Sequence, residues 1–371
     1  MAGKRANGEG SIYQRAGRKG WFAAVTVDGR RKILHADTRR EVDELLTAAK
    51  SARESGGLVM GKSPSMEAFL AQWLAEVIRP NRSVWTWRGY RSAIDTHIVP
   101  AVGKVKVEKL TPQHVVKLMN RMRDDGASPK TIANVRVLLR SALATAVRWN
   151  LAARNAAAVT DAPKAEQHEI KPFTKAEAKA FLAAVAGDRL EALYTVALTM
   201  GLRQGEALGL RWDDVDLEAG MLHVREQLQR VDGTLQRVPL KTKRSRRVLT
   251  MPAPALGALR EHRRRQLEER LAASRWTDTG YVFTTSIGTP LEARNVVRSF
   301  KAILTRAELR DVRFHDLRHS AATLLLVQGV PSRVVMEILG HSQMSTTTNT
   351  YQHVVPELQR EAADRMSALF S

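Results

Sequence analysis

The sequence predicts a mainly α-helical protein with small β-sheets, of the α+β class and divided into three domains. Its 371 residues exceed the usual length of one domain. Short β-type runs bounded by turn residues occur near the start and again between residues 221 and 251. Elsewhere apolar residues recur at helical spacing, and a hydrophobic fraction of 44% is enough to fill real cores. We predict domains at residues 1–62, 63–165 and 166–371.

The first predicted domain is a three-stranded sheet followed by one helix. Strands are expected at Ser11–Gln14, Trp21–Val27 and Lys32–Ala36, and Asp28-Gly29 has the composition of a hairpin turn. A helix should follow over Thr38–Ser55, because Thr38 and Glu41 have the spacing of a capping box. Residues 56–63 have the composition of a linker. Basic residues cluster in and around the sheet: Arg15, Arg18, Lys19, Arg30, Arg31 and Lys32.

The second predicted domain is a bundle of four helices. The first two should span Met66–Val77 and Trp85–Ile98, after which Pro100 and Gly103 should break the chain. The second of these helices contains two basic residues, Arg88 and Arg91, that are candidates for an interface with a polyanion.

The last two helices of the bundle have explicit start signals. Thr111-Pro112 and Ser128-Pro129 each place a capping side chain before a proline at the first helical position. The fourth helix should end near Trp149, and we expect both Trp73 and Trp149 in the core. The charged residues 162–170 form the predicted linker to the third domain.

The third predicted domain mixes helices with a few strands. It opens at Thr174 and Glu177, a second capping box, with Phe173 as a possible hydrophobic staple, and helices should follow to Met200. Strands are expected at Met221–Val231, Gln236–Pro239 and Arg246–Met251. Two hairpin turns should connect them, at residues 232–233 and 241–245. Helices are expected over residues 253–274 and 293–307, and through the motif region to the end.

The composition indicates a polyanionic partner. A formal net charge of +21 favours nucleic acid, because Lys and Arg on phosphates release counterions. With no cysteine, the chain can form neither disulfides nor Cys-type zinc sites. No apolar run reaches the roughly 18 residues that span a membrane, and the N-terminal residues do not resemble a secretory signal. The sequence also lacks the usual metal and phosphate-loop motifs, so we expect no cofactor and no metal.

The most informative residues are five polar side chains in three motifs. Arg203 follows a glycine in T-M-G-L-R-Q-G-E; His315 and Arg318 lie three apart in H-D-L-R-H; His341 follows a glycine in L-G-H-S; and Tyr351 comes ten residues later. On a helix, residues three apart share a face, so His315 and Arg318 can point at one target. Each motif is weak by itself, but the combination is strong.

Together these residues resemble the catalytic set of the tyrosine recombinases, the lambda-type phage integrases. The motifs stand in the family's order with family-like gaps, closely over residues 170–360 and more loosely over the preceding hundred. The resemblance implies a site-specific DNA recombinase that forms a 3′-phosphotyrosine intermediate and integrates and excises a mobile element. It also implies an arm-site-binding N-terminal domain, a helical core-site-binding domain and a catalytic domain.

The resemblance assigns a role to each site residue. Tyr351 is the expected nucleophile, Arg203 and Arg318 clamp the scissile phosphate, and His315 accepts the tyrosine proton or binds a phosphate oxygen. His341 donates a hydrogen bond to the phosphate, and Glu206 orients the cations. Lys241 resembles the lysine that protonates the 5′-oxygen.

Several alternatives remain open from the sequence. Lys243 competes with Lys241, and the run that continues through Arg244, Arg246 and Arg247 is equally typical of a solvated loop. Lys243 and Arg244 are therefore also counted as DNA-binding candidates. A chromosome-dimer or plasmid resolvase of the same chemistry, or a non-catalytic DNA-binding regulator, would share many of these features.

The resemblance also implies partners and a location. Double-stranded DNA with core and arm attachment sites is the expected substrate. A homotetramer on DNA, a host DNA-bending protein and an excisionase are expected partners. We expect the protein to act on DNA in the cytoplasm of a bacterial host cell.

Overall fold

The structure, a computed structural model, describes residues 11–27, 30–54, 63–164, 171–240 and 245–340, with 366, 367 and 370 near the end. For residues 26, 27, 30–32, 48 and 51–54 it describes the backbone but not the side chains. The chain divides into two compact units, residues 1–167 and 168–371. The three-domain division remains a prediction. Among the described residues, no helix is long and apolar enough to cross a membrane.

The first unit begins with an antiparallel sheet in the order β1 (Ser11–Tyr13), β2 (Trp21–Val27) and β3 (Arg30–Ala36). Helix α1 (Arg39–Glu54) covers one face, where small apolar side chains form a separate core with it. The N–H of Glu41 donates to the Thr38 hydroxyl, and the N–H of Thr38 donates back to the Glu41 carboxylate. These elements confirm the predicted sheet and capping box, and the predicted turn at residues 28–29 lies outside the described residues.

Four long helical segments follow, and each of the first two continues past a proline. Helix α2 (Met66–Trp73) passes through a π-helical segment, Leu74–Ile78, into α3 (Arg79–Asn81). Helix α4 (Val84–Ala93) passes in the same way through Ile94–Ile98 into α5 (Val99–Val102).

The predicted break at Pro100 is therefore wrong. Pro100 lies inside α5, and the helical segment ends at Gly103, whose N–H donates to the carbonyl of Val99. A proline lacks the N–H of a helical hydrogen bond, and its ring clashes with the carbonyl one turn back. The wider π turn before the proline accommodates both defects.

Helices α6 (Pro112–Asp124) and α7 (Pro129–Arg148) begin where predicted, with Thr111 and Ser128 as side-chain caps. Trp73 is 1% exposed in the bundle core, where its indole N–H donates to the Thr145 hydroxyl. Trp149 is 37% exposed, so its assignment to the core is wrong. It follows the last residue of α7, and its ring lies edge-on to Phe69 with centroids 6.0 Å apart.

The second unit is built mainly from helices. Thr174 and Glu177 form the predicted capping box at the start of α8. The helices are α8 (Lys175–Val185), α9 (Glu191–Met200), α10 (Gln204–Leu208), α11 (Ala253–Ala272), α12 (Ala293–Arg306), α13 (Asp316–Val327) and α14 (Ser332–Leu339). An aromatic cluster joins α8, α9 and α12, and it consists of Phe173, Phe181, Tyr194, Phe300 and Phe314. This rigid core supports the helix ends described below.

The strands of the second unit form two sheets. One has the order β4 (Val215–Asp216), β5 (Met221–Val224) and β8 (Arg247–Thr250); the other pairs β6 (Glu226–Val231) with β7 (Thr234–Pro239). The predicted single strand at 221–231 is thus wrong, since it divides at Arg225 between the two sheets.

The first predicted turn is confirmed, and the second is wrong as a hairpin. Asp232 and Gly233 both have positive φ in the two-residue turn between β6 and β7. Strand β7 pairs with β6 whereas β8 pairs with β5, so residues 240–246 connect two sheets. Which strands pair depends on hydrogen bonds between residues that are far apart in sequence. The residues of a turn do not encode those partners.

Candidate active site

Arg203 lies at the junction between α9 and α10. Helix α9 ends at Gly201 in the left-handed conformation, with φ of 64°. A Cβ at this position would approach within 2.5 Å of the Leu339 side chain. Glycine is therefore required twice, for the backbone angle and for the close approach of α14. Arg203 then precedes the first residue of α10, and its side chain is 34% exposed.

Glu206 pairs with Arg203, and its predicted role of orienting the cations stays a prediction. The Nη1 of Arg203 donates to Glu206 Oε1 at 2.6 Å, and the backbone N–H of Arg203 donates to Oε2 at 3.1 Å. The glutamate is fully buried. Burial would raise the pKa of Glu206, but the charges and hydrogen bonds of Arg247 and Arg203 outweigh it and lower the pKa below its usual range. Glu206 is therefore an ionised, fixed acceptor.

Arg318 lies in the first turn of α13 and is 2% exposed. Its Nη1 donates to the carbonyl of Gly201 at 2.7 Å, and its Nη2 donates to the carbonyl of Leu339 at 2.6 Å. At least two of its five N–H groups are thus engaged by backbone carbonyls. The residue joins the end of α9 to the end of α14, a structural task that its sequence motif does not indicate.

His315 immediately precedes α13. Although the residue is exposed, the surrounding protein partly desolvates its ring. This desolvation, together with the positive charges of Arg318 and Arg203, lowers the pKa of His315. His319 lies against it with ring centroids 5.1 Å apart. Burial and the proximity of His315 lower the pKa of His319 to about 4. Both shifts favour the neutral imidazole at pH 7.

Asp316 is a site residue that the sequence reasoning missed. Its carboxylate accepts from the Arg313 backbone N–H at 2.8 Å and pairs with the Arg313 guanidinium at 2.8 Å. Burial would raise the pKa of Asp316, but its hydrogen bonds with Arg313 lower it. This pair fixes the turn that leads from residue 313 into α13, and so it fixes the position of His315.

Arg247 is the second residue that was missed. In sequence it belongs to a basic run typical of a solvated loop, yet its side chain is only 7% exposed and pairs with Glu206 at 3.0 Å. The available signal was its position in the strand. Residues two apart in a strand lie on the same face, so Arg247 shares the face of the buried Leu249 and Met251. A solvated arginine is not expected on that face.

Other predicted residues fall outside the described part of the chain. These are Lys241, Lys243, Arg244, His341 and Tyr351, and their roles stay predictions. The structure brings Arg203, with its partner Glu206, and Arg318 to the carbonyls of Gly340 and Leu339, just before His341 in sequence. His315 is near enough for the charges of both arginines to lower its pKa.

The basic candidates of the first unit are partly engaged in stacking. Arg15 lies over the rings of Tyr13 and Phe22 at 5.9 and 5.4 Å, and it is exposed, as are Arg18 and Lys19. The backbone of β3 includes Arg30, Arg31 and Lys32, whose side chains are not described.

Helix α4 carries two arginine–tryptophan pairs, and the ring of Trp87 packs partly against the bundle core. Arg88 lies over Trp85 at 5.7 Å, and Arg91 lies over Trp87 at 5.5 Å. Trp85 is 44% exposed. Such a surface can contact phosphates and stack on bases.

Comparison with known proteins gives a consistent result. A model of the phage integrase family matches residues 171–357, and a model of the phage integrase N-terminal SAM-like domain matches residues 65–123. A tyrosine recombinase XerC-like protein of Caldanaerobacter subterraneus subsp. tengcongensis is 31% identical, over 96% of this chain and 98% of its own length. An integrase of Saccharopolyspora erythraea is 28% identical, over 99% and 98% of the two chains.

A solved structure shares the fold. The Tn1549 transposon integrase in complex with transposon right end DNA has a TM-score of 0.70 and 23% identity, over 82% of this chain and 99% of that one. With the family models and the relatives above, these matches establish that the chain belongs to the phage integrase family of tyrosine recombinases, enzymes that cleave and rejoin DNA at specific sites.

Proposed function

We propose that this recombinase is the integrase of a phage or another mobile element, which it inserts into and excises from a DNA target. One observation supports the chemistry: Arg203 and Arg318 donate to the carbonyls of Gly340 and Leu339, just before His341 in sequence, and the charges of both arginines act on His315. Two guanidinium groups with an imidazole in their field can act on a single phosphate.

The proposed reaction starts at Tyr351. Its hydroxyl oxygen attacks the scissile phosphorus, a 3′-phosphotyrosine bond forms, and the bond to the 5′-oxygen breaks. His315 accepts the tyrosine proton, which its lowered pKa allows because the neutral ring is a base at pH 7. Lys241 gives a proton to the leaving 5′-oxygen. The attack of a 5′-hydroxyl reverses these steps, and no ATP is needed because the covalent bond retains the energy.

The phosphate itself is the proposed ligand of the cations. Arg203, with a side chain that is 34% exposed, reaches the non-bridging oxygens directly. Arg318, which is 2% exposed, adds its positive charge beside the same phosphate. His341 adds a hydrogen bond. Guanidinium charge thereby supplies what a metal ion supplies in other phosphoryl-transfer sites.

The remaining parts of the chain would hold the DNA. We assign arm sites to residues 1–62, where Arg15, Arg18 and Lys19 are exposed. Core sites are assigned to residues 63–165 and 166–371, with the half-buried Arg88 and the exposed Arg91 of α4 as contacts. Strand exchange between two duplexes requires four active sites, so we propose a homotetramer on DNA. A host DNA-bending protein and an excisionase complete the proposed set of partners, in the cytoplasm of a bacterial cell.

A resolvase of the same chemistry is the second candidate. The 31% identity to a protein described as XerC-like favours it. The N-terminal sheet and α1 favour the integrase, since a separate basic module suits a second class of DNA site. A DNA-binding regulator without catalysis is the third candidate, and the assembled arginines and histidine speak against it. The DNA that flanks the gene separates the first two, because an adjacent attachment site identifies an integrase.

Covalent capture tests the chemistry. A core-site duplex with a nick close to the cleavage position traps the phosphotyrosine, because the short strand diffuses away. We expect a protein–DNA adduct that survives denaturing electrophoresis, and no adduct with Tyr351→Phe, which should still bind in a mobility-shift assay. An adduct in the variant would place the nucleophile at another residue. Binding without any adduct in the native protein would favour the regulator.

A further inference from the structure

The last turn of α14 is held by three arginines from three different elements. The carbonyl of Ile338 accepts from Arg247 Nε at 2.6 Å, that of Leu339 from Arg318 at 2.6 Å, and that of Gly340 from Arg203 at 3.3 Å. The last carbonyls of a helix have no partner within it, and they carry the negative end of the helix dipole. Three guanidinium groups therefore bind consecutive carbonyls at one helix end.

Arg247 differs from the other two in its surroundings. Besides Ile338, it donates from Nη1 to the carbonyl of Ser245 at 3.0 Å and from Nη2 to Glu206 Oε2 at 3.0 Å. All three of its nitrogens are thus hydrogen-bonded to protein, and its side chain is 7% exposed. Because so little of the side chain is exposed, we expect any effect of Arg247 on the reaction to pass through these partners.

Glu206 is the partner through which such an effect would reach the site. One of its oxygens pairs with Arg203, and the other accepts from Arg247 and from the Arg203 backbone. A fully buried carboxylate needs these hydrogen bonds and ion pairs, because an unpaired buried charge is strongly unfavourable. If Arg247 were lost, the carboxylate would turn toward Arg203, its remaining cation, and would draw that guanidinium away from its present direction.

The packing around Gly340 also links Arg247 to the end of α14. Gly340 has a φ of 65°, and a Cβ there would lie 3.1 Å from Nη1 of Arg247. The backbone of the residue before His341 thus rests directly against the Arg247 guanidinium. A displacement of one would displace the other.

We infer that Arg247 is a positioning residue for DNA cleavage, which holds Glu206 and the end of α14 so that Arg203 is correctly placed. This inference rests on the proposed function, because it takes Arg203 as a group that acts on the scissile phosphate. Arg247 itself touches neither the DNA nor the reacting atoms.

The test separates DNA binding from the rate of cleavage. The rate of covalent adduct formation is measured on the nicked core-site duplex at saturating DNA, and affinity is measured by fluorescence anisotropy. Arg247→Gln should lower the rate by about 10²-fold, as a displacement near 1 Å can do, with little change in affinity. The matched control is Arg246→Gln, which removes the same charge from the exposed neighbouring residue and should leave the saturated rate unchanged.

A double-mutant cycle identifies the route of the effect. If Arg247 acts through Glu206, the variant Glu206→Gln with Arg247→Gln should be no slower than Arg247→Gln alone, because the unpaired carboxylate is gone. If the fold-reduction in rate of the double variant equals the product of those of the two single variants, the two residues act independently. That result would overturn the inference. Equal losses of affinity in Arg247→Gln and Arg246→Gln, with the saturated rate retained, would make Arg247 a phosphate ligand and would also overturn it.

A conservative variant covers the case in which Arg247→Gln does not fold. Arg247→Lys keeps a positive charge beside Glu206, but one ammonium cannot span the three acceptors that the guanidinium reaches. We expect a rate about tenfold below the native one with unchanged affinity. A native rate in Arg247→Lys would overturn the inference. Adduct formation by the unmodified protein is scored in the same experiment, so a failure of the proposed function would be seen separately.

Discussion

The backbone N–H of Phe173 donates a 2.8 Å hydrogen bond to the hydroxyl of Ser320, across 147 positions of sequence. The same hydroxyl donates to the carbonyl of Asp316 at 2.8 Å. Phe173 and Ser320 are both 1% exposed. One buried hydroxyl thus joins the segment that enters the second unit to helix α13, which carries Arg318 and follows His315.

Ser320→Ala should destabilise the second unit. The Phe173 N–H would remain buried without its partner, which costs about 1–3 kcal/mol. The free energy of unfolding in urea measures this loss. Ser274→Ala is the control, because Ser274 is exposed in a connecting segment, and it should change stability by less than about 0.5 kcal/mol. Equal stability of the two variants would show that another group satisfies the Phe173 N–H.

His319 should make stability depend on pH in the mildly acidic range. Its pKa is lowered to about 4 in the folded chain, from 6.5 as the ordinary value. Between these values the unfolded chain binds a proton that the folded chain does not. The free energy of unfolding is therefore highest above pH 6.5 and falls as the pH decreases toward 4. His315, whose pKa is also lowered, contributes in the same direction.

The measurement for His319 is the unfolding free energy of the second unit at pH 7 and pH 4.5. The native protein should lose no more than about 2 kcal/mol from His319 across this range, and His319→Gln should lose less. His97→Gln, in the first unit, should leave the pH dependence of this transition unchanged. An identical slope in His319→Gln and the native protein would contradict the assignment.

The choice between Lys241 and Lys243 can be made with a substituted leaving group. A sulfur in the 5′-bridging position leaves without protonation, so the true general acid is needed only for normal DNA. Lys241→Ala should lose about 10²–10⁴-fold in cleavage of normal DNA and recover most of it on the phosphorothioate. Lys243→Ala should show only a salt-sensitive loss of binding on both substrates. Rescue of Lys243→Ala by sulfur, without rescue of Lys241→Ala, would reverse the assignment.

Removal of residues 1–62 should separate the two classes of DNA binding. The N-terminal sheet and α1 have their own small core, distinct from that of the helical bundle. The shortened protein should therefore lose arm-site binding but retain weak core-site binding and cleavage of nicked core duplexes. Mobility shifts with arm and core DNA measure both. Unchanged affinity for arm DNA would refute the assignment of this region.

Cleavage should persist in excess EDTA. In the proposed mechanism Arg203 and Arg318 supply the positive charge at the phosphate, and the sequence offers no metal-binding motif for a divalent ion. The adduct yield on the nicked duplex, with and without EDTA, is the measurement. A loss of adduct that magnesium restores would require a metal in the reaction.

Features that depend on three or four neighbouring residues could be predicted from the sequence. The capping boxes of α1 and α8, and the starts of α6 and α7 at Thr111 and Ser128, are closed by hydrogen bonds within one turn. The Asp232-Gly233 turn is equally local, since it requires only two residues that accept positive φ. The catalytic motifs were recognisable for a related reason: their chemistry lies in residue types at fixed short spacing.

Other features depend on partners that are distant in sequence. The division of the strand at Arg225 follows from pairing with two different sheets. Arg318 reaches Gly201 across 117 positions, and Arg247 reaches Ile338 across 91. Sequence patterns indicate which residues are buried or helical, but not which distant carbonyl a buried guanidinium meets. That choice is made when α9, α13, α14 and β8 pack together, because burial then forces every charge and every free carbonyl to find a partner.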